Sequence, residues 1–338
     1  MVCFRADGNA QVGSGHVMRC LSLADAVRER GHEPVFLCAD SSVQPVIRRR
    51  GYQCIVLDSG YDRMEGELPA LLPLLEKLSP EYTILDSYFV TAGYMRRLKK
   101  AACLVYIDDL CAFDYPADLV INYNLYAGSL VYPKNKGYLL GPDYAPLRKE
   151  FQGLGGRKVK ERVEHILVST GGADPRHTAT TLLTYLRGHP PEDRVTYHML
   201  VGGMNPDGEK IAQLAAGQPW VELHRQVTDM RGLMLQCDVA VSAAGSTLYE
   251  LCACGLPAVT YVLADNQIQG AQAFEAAGLM LCAGDVRTEP QFAKNVFARL
   301  ERLSGDWAAR QRMARRMQAL VDGRGAARTV QAIGAALA

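Results

Sequence analysis

The 338-residue sequence has almost no net charge: 37 basic residues oppose 36 acidic ones, leaving +1. Without a basic surplus, no nucleic-acid-binding face is expected. Long apolar runs are also missing. Arg5 and Asp7 interrupt any early apolar core, so no secretory signal is expected. The longest weakly charged stretch, Val239 to Leu263, contains Gly245, Glu250, Gly255 and Pro257. It reads as strand, helix and strand, and no membrane insertion is expected. The ten cysteines form no CxxC pair, and Cys252 and Cys254 face different sides of a predicted helix. Reduced core cysteines in a cytoplasmic protein are expected. The seven histidines show neither HxH nor HExxH spacing, so no metal site is expected. No short-period repeat appears.

What is present is the composition of a globular chain, 49% hydrophobic and 22% charged, long enough for two domains. Its first thirty residues organise the rest. Val2-Cys3-Phe4-Arg5-Ala6 reads as a strand, Gly13-Ser14-Gly15-His16 as a loop, and Val17 to Arg30 as a helix. Val17, Cys20, Leu21, Ala24 and Val27 share one helical stripe, and Gly31 stops it. Two familiar glycine signatures fail here. Gly8 to Gly13 has the P-loop spacing, but Ser14-Gly15 follows and the phosphate-gripping lysine is missing. Gly13-Ser14-Gly15 opens a dinucleotide fingerprint whose sixth position is Met18, after too long a loop. Asp40, at the distance of a ribose acid, is all that supports a nicotinamide enzyme.

Backbone N–H groups at a helix start attract anions, and the same positive end disfavours an imidazolium. A neutral His16 able to accept a proton, as a general base must, is therefore expected. A capping or packed histidine is the plainer alternative.

Strands at Pro34–Cys38, Gln53–Leu57, Tyr82–Asp86, Cys103–Ile107 and Leu119–Asn122 alternate with helices near Val46–Arg50, Leu68–Leu78 and Ala92–Lys100. The alternation predicts a parallel, doubly wound sheet, with ligands beyond the carboxyl ends of its strands. By that rule His16, Tyr88, Asp108, Asp109, Asn122 and Asn124 line one rim, although Asp and Asn at strand ends also serve as turn formers.

Gly153 to Gly156 with Lys158 to Glu164 reads as a linker, dividing a domain of residues 1–155 from one of 156–338. The final helix is free to pack back on the first domain. The second domain opens with the strand His165–Thr170 and the turn Gly171-Gly172-Ala173-Asp174-Pro175. Asp174 is expected as N-cap with Pro175 first in the helix. Val239 to Ala243 is another strand, and Gly245 lets a ligand approach the backbone closely. Ser246 and Thr247 are placed to cap the next helix and to donate to phosphate. Glu250, one turn in, is either a ribose-diol acceptor or a surface glutamate. Asp265-Asn266-Gln267 offers the uncharged amides that suit a sugar. A late strand is expected at Gly278–Cys282, and helices from Glu289 on. Arg310, Arg312, Arg315 and Arg316 are expected on a solvated face.

Taken together, these segments resemble a known group of enzymes. The second-domain stretch Ser242 to Glu250 resembles the UDP-binding region of peptidoglycan UDP-N-acetylglucosamine transferases. Over most of its length the chain resembles the UDP-2,4-diacetamido-2,4,6-trideoxy-β-L-altropyranose hydrolases of pseudaminic acid biosynthesis. The resemblance is carried by Phe4-Arg5-Ala6-Asp7, Gly13 to Arg19, Leu85-Asp86-Ser87-Tyr88, Ile107-Asp108-Asp109, Asn122 to Ala127, Tyr144 to Phe151, Gly171 to Asp174 and Asp265-Asn266-Gln267. Spore-coat polysaccharide proteins share the same motifs.

The resemblance implies an α/β, GT-B-like fold of two doubly wound Rossmann-like domains with an interdomain cleft. It implies hydrolysis of a UDP-sugar with UDP leaving, no metal and no other cofactor. His16 would be the general base for water. Gly15, Arg19, Tyr88, Asp109, Asn124, Asn266 and Gln267 would contact the sugar. Gly172, Gly245, Ser246 and Thr247 would hold the diphosphate, and Glu250 the ribose. Two alternatives stay open: a GT-B glycosyltransferase using a UDP-sugar donor, and a non-catalytic sugar-nucleotide-binding protein.

Overall fold

The computed structural model describes residues 1–337 except 135, 192 and 193. The chain divides into two compact units. One is Met1–Lys149 with Arg324–Ala338, the other Glu150–Gly323.

The first unit alternates β1 (Val2–Ala6), α1 (Gly15–Glu29), β2 (Pro34–Cys38), α2 (Gln44–Arg49), β3 (Gln53–Val56), α3 (Leu68–Leu78), β4 (Tyr82–Asp86), α4 (Ala92–Ala101) and β5 (Leu104–Ile107). Two further strands, β6 (Leu119–Asn122) and β7 (Gly137–Leu140), complete it. All seven strands run parallel in the order β3-β2-β1-β4-β5-β6-β7. The expected apolar stripe of α1 is buried, and Gly31 leaves the helix at φ +85°. Leu68, Leu71 and Leu75 of α3 join Met64, Tyr94, Met95 and Leu98 in a core against Cys3, Val35, Leu85 and Leu104 of the sheet. Fully burying each such leucine contributes about 2 kcal/mol. The edge strand β7 escapes the sequence reading. Its Gly-Tyr-Leu-Leu has no alternation of apolar and polar residues and is only partly buried.

The second unit comprises β8 (His165–Ser169), α5 (Thr178–Gly188), β9 (Thr196–Val201), α6 (Gly208–Ala215), β10 (Val221–Arg225), α7 (Met230–Gln236), β11 (Val239–Ala243), α8 (Thr247–Cys254), β12 (Ala258–Val262), α9 (Ile268–Ala276), β13 (Leu281–Asp285), α10 (Phe292–Gly305) and α11 (Trp307–Leu320). Its six parallel strands follow the order β10-β9-β8-β11-β12-β13. The chain then returns to the first unit as α12 (Gly325–Leu337), which packs against α1.

Both sheets thus have the 3-2-1-4-5-6 strand order of doubly wound nucleotide-binding folds, the first with one strand added. In each, strand order reverses beside the first strand, between β1 and β4 and between β8 and β11. Ligands bind at such switch points.

Three local expectations are corrected. Helix α5 begins at Thr178, not Pro175, because Asp174 (φ +45°) and His177 (φ +54°) both adopt left-handed backbone. Asp174 still caps it from a distance, accepting from the Thr178 and Ala179 amides at 2.9 and 2.8 Å. Strand β13 starts at Leu281, since Gly278 (φ +62°) is spent closing the turn after α9. Arg310 is not solvated. It is fully buried and donates to the carbonyls of Leu303, Lys160, Glu161 and Ser304 at 2.7–3.1 Å. Arg312, Arg315 and Arg316 are exposed, as read.

Candidate active site

At the first switch point the loop after β1 is ordered by its own backbone and one asparagine. The Asn9 carboxamide accepts from Gln11 and Val12 N–H at 2.9 and 3.0 Å, and Asn9 C=O accepts from Gly13 N–H at 2.8 Å. Gly13 takes φ +73°, a conformation that suits glycine. The turn delivers Ser14 as N-cap of α1, with no side-chain cap bond and no acidic residue in the first turn. Gly15 is exposed there, and His16 follows with 8% of its surface exposed.

His16 is held by a residue that the sequence reading left out of the site. Asp86, the last residue of β4, pairs with Ala6 in the sheet and sets Oδ1 2.6 Å from His16 Nδ1. Arg19, one turn after His16, grips the same carboxylate through two bonds, Nε to Oδ2 and Nη2 to Oδ1, both 2.6 Å. Its Nη1 reaches Asp109 at 2.9 and 3.1 Å and the Tyr123 hydroxyl at 2.7 Å. Asp109 also accepts from Tyr88 OH at 2.7 Å and from Asn124 Nδ2 at 2.8 Å. The Tyr88 ring stands edge-on to His16 with centroids 4.5 Å apart. His16, Arg19, Tyr88, Asp109 and Asn124 therefore form one connected network with Asp86 and Tyr123.

The charges fix the protonation pattern. Burial opposes ionisation of Asp86, but Arg19 and His16 outweigh it and hold the carboxyl well below the usual carboxylate range. An ionised Asp86 can only accept, so His16 Nδ1 carries a proton and donates it to Asp86, which leaves Nε2 as the nitrogen turned away from the carboxylate. Arg19 Nη2 also lies 3.2 Å from Nδ1, a proximity that follows from both groups sharing Asp86 Oδ1. Tyr88, buried beside Asp109, has its hydroxyl pKa pushed well up and stays a neutral donor. A buried imidazole oriented by a carboxylate is an arrangement suited to proton transfer.

The neighbouring strand ends do different work. Asp108 is a turn former. It accepts from Leu110 and Cys111 N–H and from Tyr115 OH at 2.7–3.0 Å, and from Tyr132 OH. Asn122 is fully buried, donating to Tyr132 OH at 2.8 Å and accepting from Asn124 N–H at 3.0 Å. A second buried ion network lies behind β1. Arg5 bonds Glu67 at 2.6 and 2.7 Å and Asp7 at 2.5 Å, and Tyr94 OH adds a bond to Glu67 at 2.6 Å.

At the second unit's switch point Gly171 turns at φ +86° after β8. The Gly172 carbonyl passes so close that a Cβ on Gly202 would sit 2.2 Å from it. After β11, Gly245, Ser246 and Thr247 lead into α8 and are all partly exposed. Ser246 is the N-cap, yet its side chain makes no cap bond, which corrects the capping expectation; the Leu248 and Tyr249 amides bond the Gly245 and Ser246 carbonyls at 3.1 Å. Glu250 lies one turn in, half-buried. Gln267 accepts from Leu263 N–H at 2.9 Å, and its Nε2 would lie 3.9 Å from a Cβ on Gly245. Asn266 shares the short 3-10 turn Asp265–Gln267 with it and is half-buried. The turn and the loop before α8 thus sit side by side. Among the described residues no helix is long and apolar enough to cross a membrane.

No family model matches the sequence. The chain is 25% identical over 327 residues to the spore coat polysaccharide biosynthesis protein SpsG of Bacillus subtilis, covering 95% of this chain and 94% of that one. It is 26% identical over 209 residues to the pseudaminic acid cytidylyltransferase and UDP-2,4-diacetamido-2,4,6-trideoxy-β-L-altropyranose hydrolase of Helicobacter pylori. That match covers 59% of this chain and 37% of the Helicobacter protein. Among solved structures, MurG of Acinetobacter baumannii superposes with a TM-score of 0.71 at 13% identity over 99% of both chains. MnaA of S. aureus with UDP gives 0.69 at 13% identity over 99% of this chain and 96% of that one. The fold is therefore of the GT-B kind, with two parallel-sheet Rossmann-like domains.

Proposed function

We propose that the protein acts on a nucleotide sugar in surface-polysaccharide or nonulosonic-acid biosynthesis, as a hydrolase releasing UDP from UDP-2,4-diacetamido-2,4,6-trideoxy-β-L-altrose. The observation that carries this reading is the 2.6 Å contact between His16 Nδ1 and Asp86, which turns Nε2 into a proton acceptor. The likeness to the Bacillus and Helicobacter proteins supports the substrate class.

Each unit has its part in the chemistry. The Gly245-Ser246-Thr247 loop and Gly172 take the diphosphate, whose leaving charge suits the positive end of α8. Glu250 takes the ribose diol. In the second unit Asn266 and Gln267 are assigned to the sugar; in the first unit Gly15, Arg19, Tyr88, Asp109 and Asn124 are assigned to it, beside His16. His16 Nε2 removes a proton from water as the water oxygen bonds to the anomeric carbon. The bond from that carbon to the diphosphate oxygen breaks, and its electron pair leaves with UDP. Attack opposite the leaving group inverts the anomeric centre. The imidazolium then returns its proton to solvent. UDP is a good leaving group, so neither a metal nor a second acid is required.

The test is UDP release from that substrate without acceptor and with EDTA present, the sugar product followed by NMR. Release at an enzymatic rate with inverted sugar is expected. UDP bound by calorimetry but released only when an acceptor is added would replace the hydrolase by a glycosyltransferase.

A further inference from the structure

The histidines show no metal spacing along the sequence, yet the second sheet gathers three of them across adjacent strands. His165 lies on β8, His198 on β9 and His224 on β10, with Glu222 also on β10. The parallel register pairs His165 with Thr196 and Glu222 with His198, so residues 165, 198, 222 and 224 share one face of the sheet. His198 Nδ1 lies 2.9 Å from His224 Nε2 and 3.3 Å from Glu222 Oε2, and the last two atoms are 3.7 Å apart. On the far side of the His198 ring, Nε2 lies 3.0 Å from His165 Nδ1.

We infer that His198, His224 and Glu222 bind one divalent cation of the Zn2+ class. Tetrahedral ligands at about 2.0–2.1 Å from such an ion stand roughly 3.3 Å from one another, and the three observed separations bracket that value. Two imidazoles and one carboxylate suit a borderline-soft ion and are poor for Mg2+ or Ca2+. His165 supplies the outer support that such ligands need. With the proton of His198 on Nε2 and donated to His165 Nδ1, the lone pair on Nδ1 points at the other two donors. His198 is fully buried and so fixed in place, while His224 and Glu222 are partly exposed and give an ion its way in. The fourth position is left for water or an outside ligand. The ion would tie the edge strand β10, none of whose residues is fully buried, to its neighbour β9.

The site is independent of the proposed hydrolysis, and its test reads binding and stability, not turnover. The untagged full-length protein, stripped with chelator, is titrated with Zn2+ by calorimetry and with Co2+ by visible spectroscopy. One saturable equivalent, the d–d bands of four-coordinate Co2+ and a raised melting temperature are expected. Glu222→Gln and His224→Gln should each weaken Zn2+ by about tenfold or more. His189→Gln, at an exposed histidine stacked on Tyr185, should leave it unchanged. Absence of saturable binding would overturn the inference, since His198 and His224 would then share only an N–H···N bond. Equal binding by the Glu222→Gln/His224→Gln double variant would also overturn it, placing the ion on other groups such as the cysteines.

Discussion

Asp86 holds Nδ1 of His16, which orients the ring for the base role proposed for it. His16→Asn keeps a polar side chain at the site but removes the proton acceptor. Turnover should fall by about 10²–10⁴-fold, while UDP binding, measured by calorimetry, stays within a few-fold. Ordinary turnover in this variant would remove His16 from the chemistry. Asp86→Asn tests the support. It leaves the buried Arg19 with one carboxylate fewer, and the loss of a buried partner costs about 3 kcal/mol. The sign with pH follows from the depressed pKa of Asp86. Its stabilisation is fully present above the unfolded value of about pH 4 and is lost as pH falls below it. Denaturant midpoints of the two proteins should therefore differ most near neutrality and converge in acid. The sequence placed His16 and Asp109 on one rim through a glycine loop and strand ends, while Arg19 came only with the family resemblance. Asp86 was legible by the same strand-end rule, but nothing linear connects it to a histidine 70 residues away. Only the β1–β4 pairing does that.

Elements were readable where hydrophobic period and glycine punctuation agree, as in α1 with its stripe and Gly31. They were misread where tertiary partners decide. Arg310 sits among arginines that face water, and no local pattern shows that the 160–161 and 303–304 carbonyls need it. Arg310→Met preserves the length and apolar stem of the side chain but leaves these buried acceptors without their donor. Each orphaned acceptor costs about 1–3 kcal/mol, so a loss of roughly 3 kcal/mol or more is expected in urea unfolding. Arg312→Met, on the exposed side of the same helix, should change stability by under about 0.5 kcal/mol. The Gly171-Gly172 turn offers a second element-level test. Gly202→Ala places a methyl group against the Gly172 carbonyl, and backbone cannot yield cheaply. About 1–3 kcal/mol of stability should be lost, together with affinity for UDP, read by calorimetry. Unchanged UDP affinity in a destabilised variant would detach Gly172 from the nucleotide.

At the scale of the whole molecule, the parallel, doubly wound character of both sheets follows from alternating strand and helix patterns, whereas their strand order and the edge strand β7 come from the fold. The membership of the last helix follows only from packing. Helix α12 belongs to the first unit, where Gly325 meets the Ala145 backbone so closely that a Cβ would lie 2.1 Å from its carbonyl oxygen. Thr329 Oγ1 donates to Tyr144 C=O at 3.2 Å, and Val330 and Ile333 are buried. A chain ending at Gly323 should expose the α1 face that α12 covers. Differential scanning calorimetry should then show the first unit's transition lowered or lost and the second unit's retained. A single transition shifted as a whole would contradict independent units.

The return of α12 also sets an order of assembly during synthesis. The first unit's seven strands emerge from the ribosome before the second unit, but the helix that covers α1 emerges only after it. At roughly 5–20 residues per second, translating the intervening unit takes on the order of ten to thirty seconds. Throughout that interval the nascent first unit carries an uncovered apolar seam along α1. The segment containing His16 and Arg19 is thus translated ahead of the second unit, and its helix is covered by α12 only after that unit has been made.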